Sequence, residues 1–297
     1  MILYFLVPFI ISSILIPFLI LFSKKNNIMD FSEGDELKIH KAPTSFFGGS
    51  AILISIVFSF LIFLYKTPQS LYIILALLII FLLGLWDDFK WKHITKRKPI
   101  IKLCFLIICS VASALALYYA GIKFYYLPIL APLYIFVMIN AVNYQDGMDG
   151  QAGLLFLISD AGFFILGAAL RDNLLMFSAL IFFGAVMGFM LFNYPPAKIF
   201  MGDSGAYVLG VILAFFAIYL SKNIVGHLFI IGLPLFDGIF INLKRLVQRK
   251  SIFLGDREHF YDNMLKRGFS VKQTLLISGS IQVIFVILGI LAFAYEL

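Results

Sequence analysis

A chain of 297 residues with 62% apolar residues, only 13% charged residues and a mean hydropathy of +1.01 does not belong among soluble globular domains. Its net charge of +7 would suit a polyanion, but no nucleic-acid module is recognisable and the basic residues sit in short loops between apolar runs. Topology and phosphate explain them better, and no nucleic-acid partner is expected.

A membrane span takes roughly 20 mostly apolar residues. Ten segments qualify: 1–22, 46–65, 70–86, 100–119, 125–143, 152–170, 174–192, 204–220, 224–243 and 273–294. No small-residue cleavage pattern follows the first run, so it reads as a retained helix rather than a removed signal. Cys104 and Cys109 lie five apart inside one apolar segment, a spacing that suits neither a metal site nor a redox motif, and they read as packing residues. No internal repeat or separate soluble domain stands out. The expected fold is an all-α polytopic membrane protein with about ten transmembrane helices, a single integral membrane domain over 1–297.

Orientation follows from charge. Alternate loops carry Lys24, Lys25, Lys38, Lys41, Lys90, Lys92, Lys96, Arg97, Lys98, Lys198, Lys244, Arg245, Arg249, Lys250, Arg257, Lys266, Arg267 and Lys272, whereas the opposite side has only Lys66, Lys123, Arg171 and Lys222. The positive-inside rule makes the first set cytoplasmic and turns both termini outward. A multi-pass protein of the inner membrane with a cytoplasmic-face active site is the expectation.

The cytoplasmic loops carry the chemistry. The first holds Lys38, His40 and Lys41, followed by Gly48-Gly49, which reads either as a solvated loop leading into close helix packing or as a basic lip beside an anion. The second opens with Asp87-Asp88 and runs into lysines. The pair falls at a helix C-terminus, where negative charge is disfavoured. Neutralisation by the lysines is one explanation; the other is a cation and phosphates held together, since magnesium takes one or two carboxylates plus phosphate oxygens. Lys102 either snorkels to the interface or reaches a phosphate.

The third loop is the most concentrated. From Asn140 to Gly150 the sequence reads Asn-Ala-Val-Asn-Tyr-Gln-Asp-Gly-Met-Asp-Gly, a costly set of polar groups beside apolar spans. Asp146-Gly147 and Asp149-Gly150 suit turns, and Asp149 suits a cap for the next helix. Asn140 and Asn143 have no such local explanation; a metal, a sugar or a base would each suit them. In the fourth loop Asp203, bordered by Gly202 and Gly205, is placed as the N-cap of the following helix, where phosphate also binds well. The fifth includes Arg257, whose planar fork suits phosphate, and His259. Asp160 and Asp237 lie within apolar segments and favour the competing reading, an ion-coupled membrane transporter. Against that reading, the acidic residues gather at one face and no inverted repeat is evident.

Five segments in order, His40 to Gly49, Gly84-Leu85-Trp86-Asp87-Asp88, Asn140 to Gly150, Phe192 to Gly205 and Pro234 to Gly268, give the chain a resemblance to the polyprenyl-phosphate N-acetylhexosamine-1-phosphate transferase family, of glycosyltransferase family 4 type. That family includes bacterial undecaprenyl-phosphate GlcNAc-1-phosphate transferases and, more distantly, phospho-N-acetylmuramoyl-pentapeptide transferase. The resemblance implies a Mg2+-dependent enzyme, with Mn2+ as the substitute ion, that uses a UDP-N-acetylhexosamine and a polyprenyl phosphate lipid; a homodimer is compatible with it. It implies Asp87 and Asp88 as the catalytic acidic pair and Asn143 and Asp203 as metal ligands. Lys102, Asn140, Asp146, Asp149, Arg257 and His259 become substrate-binding residues. Family members often carry His-Ile-His-His where this chain has His259-Phe260-Tyr261-Asp262, a departure that bears on the sugar and argues against the pentapeptide branch. The implied reaction is attack of the lipid phosphate on the sugar-linked phosphorus with release of UMP. A phosphate monoester with a second pKa of about 6 is largely ionised at neutrality, so direct attack is expected rather than an aspartyl-phosphate intermediate.

Overall fold

The computed structural model of the chain describes residues 1–30, 43–91, 99–122, 125, 129–249 and 257–296. The basic positions Lys38, His40, Lys41, Lys92, His93, Lys96, Arg97, Lys98, Lys123 and Lys250, and the stretch 251–256, lie outside the described residues. Among those described, the regular structure is helical, with isolated bridges pairing Asp30 with Thr44 and Ser45 with Ile199. Helices are what long apolar runs allow, because lipid offers no partners for backbone N–H and C=O groups.

The helices are α1 (Ile2–Lys25), α2 (Gly48–Phe63), α3 (Pro68–Trp86), α4 (Pro99–Tyr119), α5 (Leu130–Gln145), α6 (Gln151–Ala169), α7 (Asn173–Asn193), α8 (Gly202–Tyr219), α9 (Ile224–Ile231), α10 (Leu233–Val247), α11 (Phe260–Lys266) and α12 (Val271–Glu296). A π-helical turn, Asp87–Trp91, continues α3. Every expected span contains a helix, but the expected count of about ten crossings is not reached by length and composition. Seven helices among the described residues are long and apolar enough to cross, or eight if the bent pair α9–α10 is one span. The shortfall has a geometric cause. Helices α2 and α5 have 16 residues each, about 24 Å at 1.5 Å per residue.

The expected 224–243 span is broken. Between α9 and α10 the axis bends by 88° at Gly232. The backbone groups released there are taken up by Gln282 of α12: its Oε1 accepts from Leu233 N at 2.8 Å, and its Nε2 donates to Ile230 O at 2.8 Å and Ser159 Oγ at 2.9 Å. A break at membrane depth is tolerated where buried partners of this kind exist.

Helix α8 is the hub. It is almost wholly buried, and it packs against α2, α3, α5 and α6. Small residues permit this approach, as at packed helix interfaces in membranes. A Cβ on Gly49 would stand 2.4 Å from the backbone nitrogen of Gly205, so α2 and α8 touch backbone to backbone at their N-terminal ends. The close-packing reading of Gly48-Gly49 therefore holds. Alternation of the helices gathers the α3–α4, α5–α6 and α7–α8 connections at one end of the bundle, and Gly48 N and Gly49 N bond there to Phe200 O and Met201 O at 2.9 Å.

Candidate active site

Two polar clusters meet at that end, on either side of the C-terminus of α5. The first is organised by the N-terminus of α8, whose leading N–H groups have no partner within the helix. Asp88, from the π-helical turn after α3, supplies it: Oδ1 accepts from Asp203 N at 2.8 Å and Oδ2 from Ser204 N at 3.0 Å. The expectation that Asp203 caps α8 is corrected here. Gly202 begins the helix, so Asp203 lies within the first turn, and a carboxylate from another element does the capping. The Asp203 side chain therefore faces the cluster. The arrangement also explains how an acidic pair at the end of α3 is tolerated, because Asp88 sits at the positive end of α8.

Asp87 turns toward α4 and α8. Its Oδ2 accepts from the Tyr207 hydroxyl at 2.7 Å and lies 2.5 Å from Lys102 Nζ. Lys102 is also 3.7 Å from Asp203 Oδ2, and Asp203 Oδ1 accepts from Asn143 Nδ2 at 2.7 Å. One ammonium thus lies between two carboxylates. Asp87 is buried, whereas the Lys102 and Asp203 side chains are 32% and 22% exposed, so the cluster opens outward on their side.

Among the described residues no three acidic, cysteine or imidazole side chains converge on one point. The donor chemistry nonetheless fits a hard cation that takes part of its shell from substrate: the carboxylates of Asp87 and Asp203, with the carbonyl oxygen of Asn143 left over by its bond through Nδ2.

The second cluster lies across α5. Asp237, in the first turns of α10, accepts through Oδ2 from Gln145 Nε2 at 2.9 Å and meets His259 Nδ1 at 2.8 Å. Its Oδ1 accepts from Phe260 N at 2.9 Å. The His259 ring stacks on Tyr144 with centroids 4.9 Å apart, and Gln151 Nε2 reaches Gln145 Oε1 at 3.3 Å. Beside them Arg257 keeps a buried Nη2 without a hydrogen-bond partner. Tyr261 packs on Met148 and Leu275, its hydroxyl turned toward Gly147. Burial pushes the Asp262 carboxyl above its ordinary range and likewise raises the Tyr261 hydroxyl.

The structure therefore brings Asp87, Asp88, Lys102, Asn143 and Asp203 into one cluster and puts His259 in the other, with Arg257 alongside. Three further residues are differently engaged. Asn140 lies one turn from Asn143 on α5 and donates to Phe136 O at 2.7 Å, so its own helix supplies the partner it lacked in the sequence. Asp146 follows α5 as its C-cap and acts electrostatically on Tyr261. Asp149 does not cap α6, which begins after Gly150 without a side-chain cap; its Oδ2 accepts from Ala197 N at 2.9 Å and ties the α5–α6 loop to the α7–α8 loop. Asn193 completes that tie, accepting from Gly150 N at 3.0 Å and donating to Ile199 O at 2.8 Å.

Sequence reasoning passed over Tyr207, Gln145, Gln151 and Asn193. Tyr207 stands four residues after Asp203, on the same helix face, and Gln145 lies inside the polar run itself, so both had a signal. Asp237 was noticed only as a transport-type residue. Asp160, the other such residue, is fully buried in α6, and neither carboxyl oxygen has a hydrogen-bond partner.

Residues 70–221 match the profile of glycosyl transferase family 4. The chain is 30% identical to a probable undecaprenyl-phosphate N-acetylglucosaminyl 1-phosphate transferase of Bacillus subtilis, over 85% of this chain and 74% of the relative. It is 28% identical to the undecaprenyl-phosphate alpha-N-acetylglucosaminyl 1-phosphate transferase of Thermotoga maritima, over 95% and 87%. It is also 29% identical to a phospho-N-acetylmuramoyl-pentapeptide-transferase of Petrotoga mobilis, over 94% of each chain, so overall identity does not separate the two kinds of relative. The matched segment runs from the start of α3 to the end of α8 and contains Asp87, Asp88, Lys102, Asn143 and Asp203, and on these grounds the chain belongs to glycosyl transferase family 4.

Proposed function

We propose that this protein transfers a HexNAc-1-phosphate, with GlcNAc-1-phosphate foremost, from a UDP-sugar to undecaprenyl or a related polyprenyl phosphate, releasing UMP and initiating a cell-envelope glycan. The observation that carries this reading is the convergence of Asp87, Lys102, Asn143 and Asp203 from four separate elements onto one cluster, next to the imidazole of His259 and the unpartnered guanidinium nitrogen of Arg257. Carboxylates near an arginine nitrogen that has no hydrogen-bond partner suit a diphosphate held with a metal. The abundance of lysine and arginine in the loops of this end supports its facing the cytoplasm, where nucleotide sugars are made.

In the reaction an oxygen of the lipid phosphate attacks the sugar-linked phosphorus of the donor. The bond from that phosphorus to the bridging oxygen breaks, and the oxygen leaves with UMP. Asp87, Asp203 and the carbonyl of Asn143 would hold Mg2+, or Mn2+ in its place, which when bound would supply charge neutralisation of the diphosphate. Lys102 and Arg257 bind phosphate oxygens. Asp87, rather than Asp88, orients the acceptor or takes a residual proton, because both oxygens of Asp88 are already used by backbone N–H groups. The relatives named for GlcNAc-1-phosphate transfer support the donor class. Tyr261 and Asp262, standing where family members often carry histidines, support a donor other than the pentapeptide-bearing one.

Detergent-solubilised protein assayed for UMP release from a series of UDP-sugars, with and without polyprenyl phosphate and Mg2+, tests the reading. Release is expected only with all components present. A protein that releases no UMP from any UDP-HexNAc, or that yields a covalent sugar-phosphate adduct on Asp87 or Asp88, would overturn respectively the function or its direct mechanism.

A further inference from the structure

We propose that Asp237 is a positioning residue for His259: it fixes the imidazole through Nδ1 and thereby aims Nε2 at the donor diphosphate, to which Nε2 donates when the ring carries both hydrogens. The inference deepens the proposed function and rests on it, since it presumes that His259 touches the donor. Its structural basis is separate. A histidine has two ring nitrogens, and the bond made by one determines what the other can do. Here Asp237 Oδ2 lies 2.8 Å from Nδ1, so the hydrogen on Nδ1 is directed at the carboxylate and the remaining nitrogen is Nε2.

The carboxylate is itself held from three directions. Gln145 of α5 donates to Oδ2, the Phe260 backbone N–H at the start of α11 donates to Oδ1, and the 88° bend after α9 turns α10 so that Asp237 arrives beneath the end of α5. The ring is clamped on its face by Tyr144 at 4.9 Å. Neither partner can rotate without breaking a contact to a different helix. A strut between α5 and α10 alone would need only the Gln145 to Asp237 bond. The imidazole on the same oxygen, next to an arginine whose Nη2 has no partner, marks a group set to receive an anion. The same reasoning removes Asp237 from the transport reading, because its oxygens are spent on local donors.

Two measurements on the full-length protein in detergent decide the matter. The first is a double-substitution cycle on UMP release with a UDP-HexNAc and polyprenyl phosphate. Asp237→Asn must set an amide NH2 against either Gln145 Nε2 or Phe260 N, and is expected to lower kcat/KM by about 10-fold or more, as loss of a partner behind a ligand histidine does. In the His259→Ala background the same change is expected to cost less than about twofold, since there is no ring left to orient. The second is a 15N spectrum of protein labelled at its four histidines, assigned with His259→Gln. The wild type should show His259 protonated on Nδ1, and Asp237→Asn should lose that signature while the other histidine signals stay in place.

Equal losses in both backgrounds, with an active wild type, would overturn the positioning role and leave the proposed function standing. A wild type without UMP release would overturn the proposed function, and the Nδ1 signal would still decide whether Asp237 sets the ring. A His259 protonated on Nε2 alone in the wild type would sink the inference outright.

Discussion

Asp87 and Asp88 are neighbours of the same type, yet the structure gives them separable roles, and replacing each with Asn should tell them apart. Asp88 accepts from Asp203 N at 2.8 Å and Ser204 N at 3.0 Å. An amide can satisfy one of these and must turn an NH2 toward the other. Retreat is blocked: Gly202 has φ +70°, and an added Cβ there would already stand 2.7 Å from Asp88 Oδ2. Asp88→Asn therefore loses one charge-assisted hydrogen bond, about 1.5–3 kcal/mol, together with the attraction of a carboxylate for a helix N-terminus, about 0.3–1 kcal/mol. The sum, roughly 2–4 kcal/mol, falls on the first turn of α8 and displaces Asp203 with it. Asp87→Asn keeps an oxygen for the Tyr207 hydroxyl and leaves the one-third exposed Lys102 with Asp203 at 3.7 Å, so it should cost about 1 kcal/mol or less. Both variants should lose most UMP release. In a detergent thermal melt Asp88→Asn should fall by on the order of 5 °C, while Asp87→Asn stays near wild type. A pair of variants with equal melting shifts, or an Asp88→Asn protein as stable as wild type, would refute the idea that Asp88 is the cap of α8.

Three further outcomes are expected. Tyr207→Phe removes the hydroxyl that donates to Asp87 at 2.7 Å without leaving a polar orphan on its own side, so kcat should drop about tenfold with little change in melting temperature; unchanged kcat would show that Asp87 needs no such anchor. Gln282→Leu leaves Leu233 N and Ile230 O without their buried side-chain partner, at about 1–3 kcal/mol for each group, and should lower the melting temperature more than any single change at the site; a silent substitution would mean the bend is held by other contacts. Asp262 is buried with an unpartnered Oδ2, and burial raises its carboxyl above the value it has in the unfolded chain. Stability from this group is complete below the unfolded carboxyl range and is lost as pH rises through the folded value. Asp262→Asn should accordingly melt higher than wild type at neutral pH, with the gap closing on acidification, and a gap that widens in acid would reverse the assignment.

The parts of the site that sequence exposed were those where a residue contradicts its local surroundings. An acidic pair at the end of α3, an Asn143 inside an apolar helix and an Asp203 among glycines each break a local rule, and each proved to be in the cluster. What stayed hidden depends on contacts far apart in the chain. Asp88 and Asp203 are 115 positions apart, so nothing local distinguishes a cap supplied by another element from the self-cap expected of Asp203. The bend at Gly232 was invisible for a different reason. The sequence stays apolar enough across it that α9 and α10 together pass as one span, and the feature that permits the break, Gln282, lies in another helix. Asp149 was legible as a polar loop residue, but its partner Ala197 N depends on how two loops meet.

Helix α5 links the two clusters. Asn143, Tyr144 and Gln145 are consecutive, and successive side chains on a helix are turned by about 100°, so they fan out from its last turn. Asn143 reaches Asp203 on one side; Tyr144 and Gln145 reach His259 and Asp237 on the other. A rotation or fraying of this single turn shifts both clusters together. The spacing between the carboxylates that would hold a metal and the imidazole that would meet the donor is therefore set by one rigid segment rather than by the loops that surround it. A change within that turn, even one that touches neither aspartate nor histidine, should move kcat and KM together.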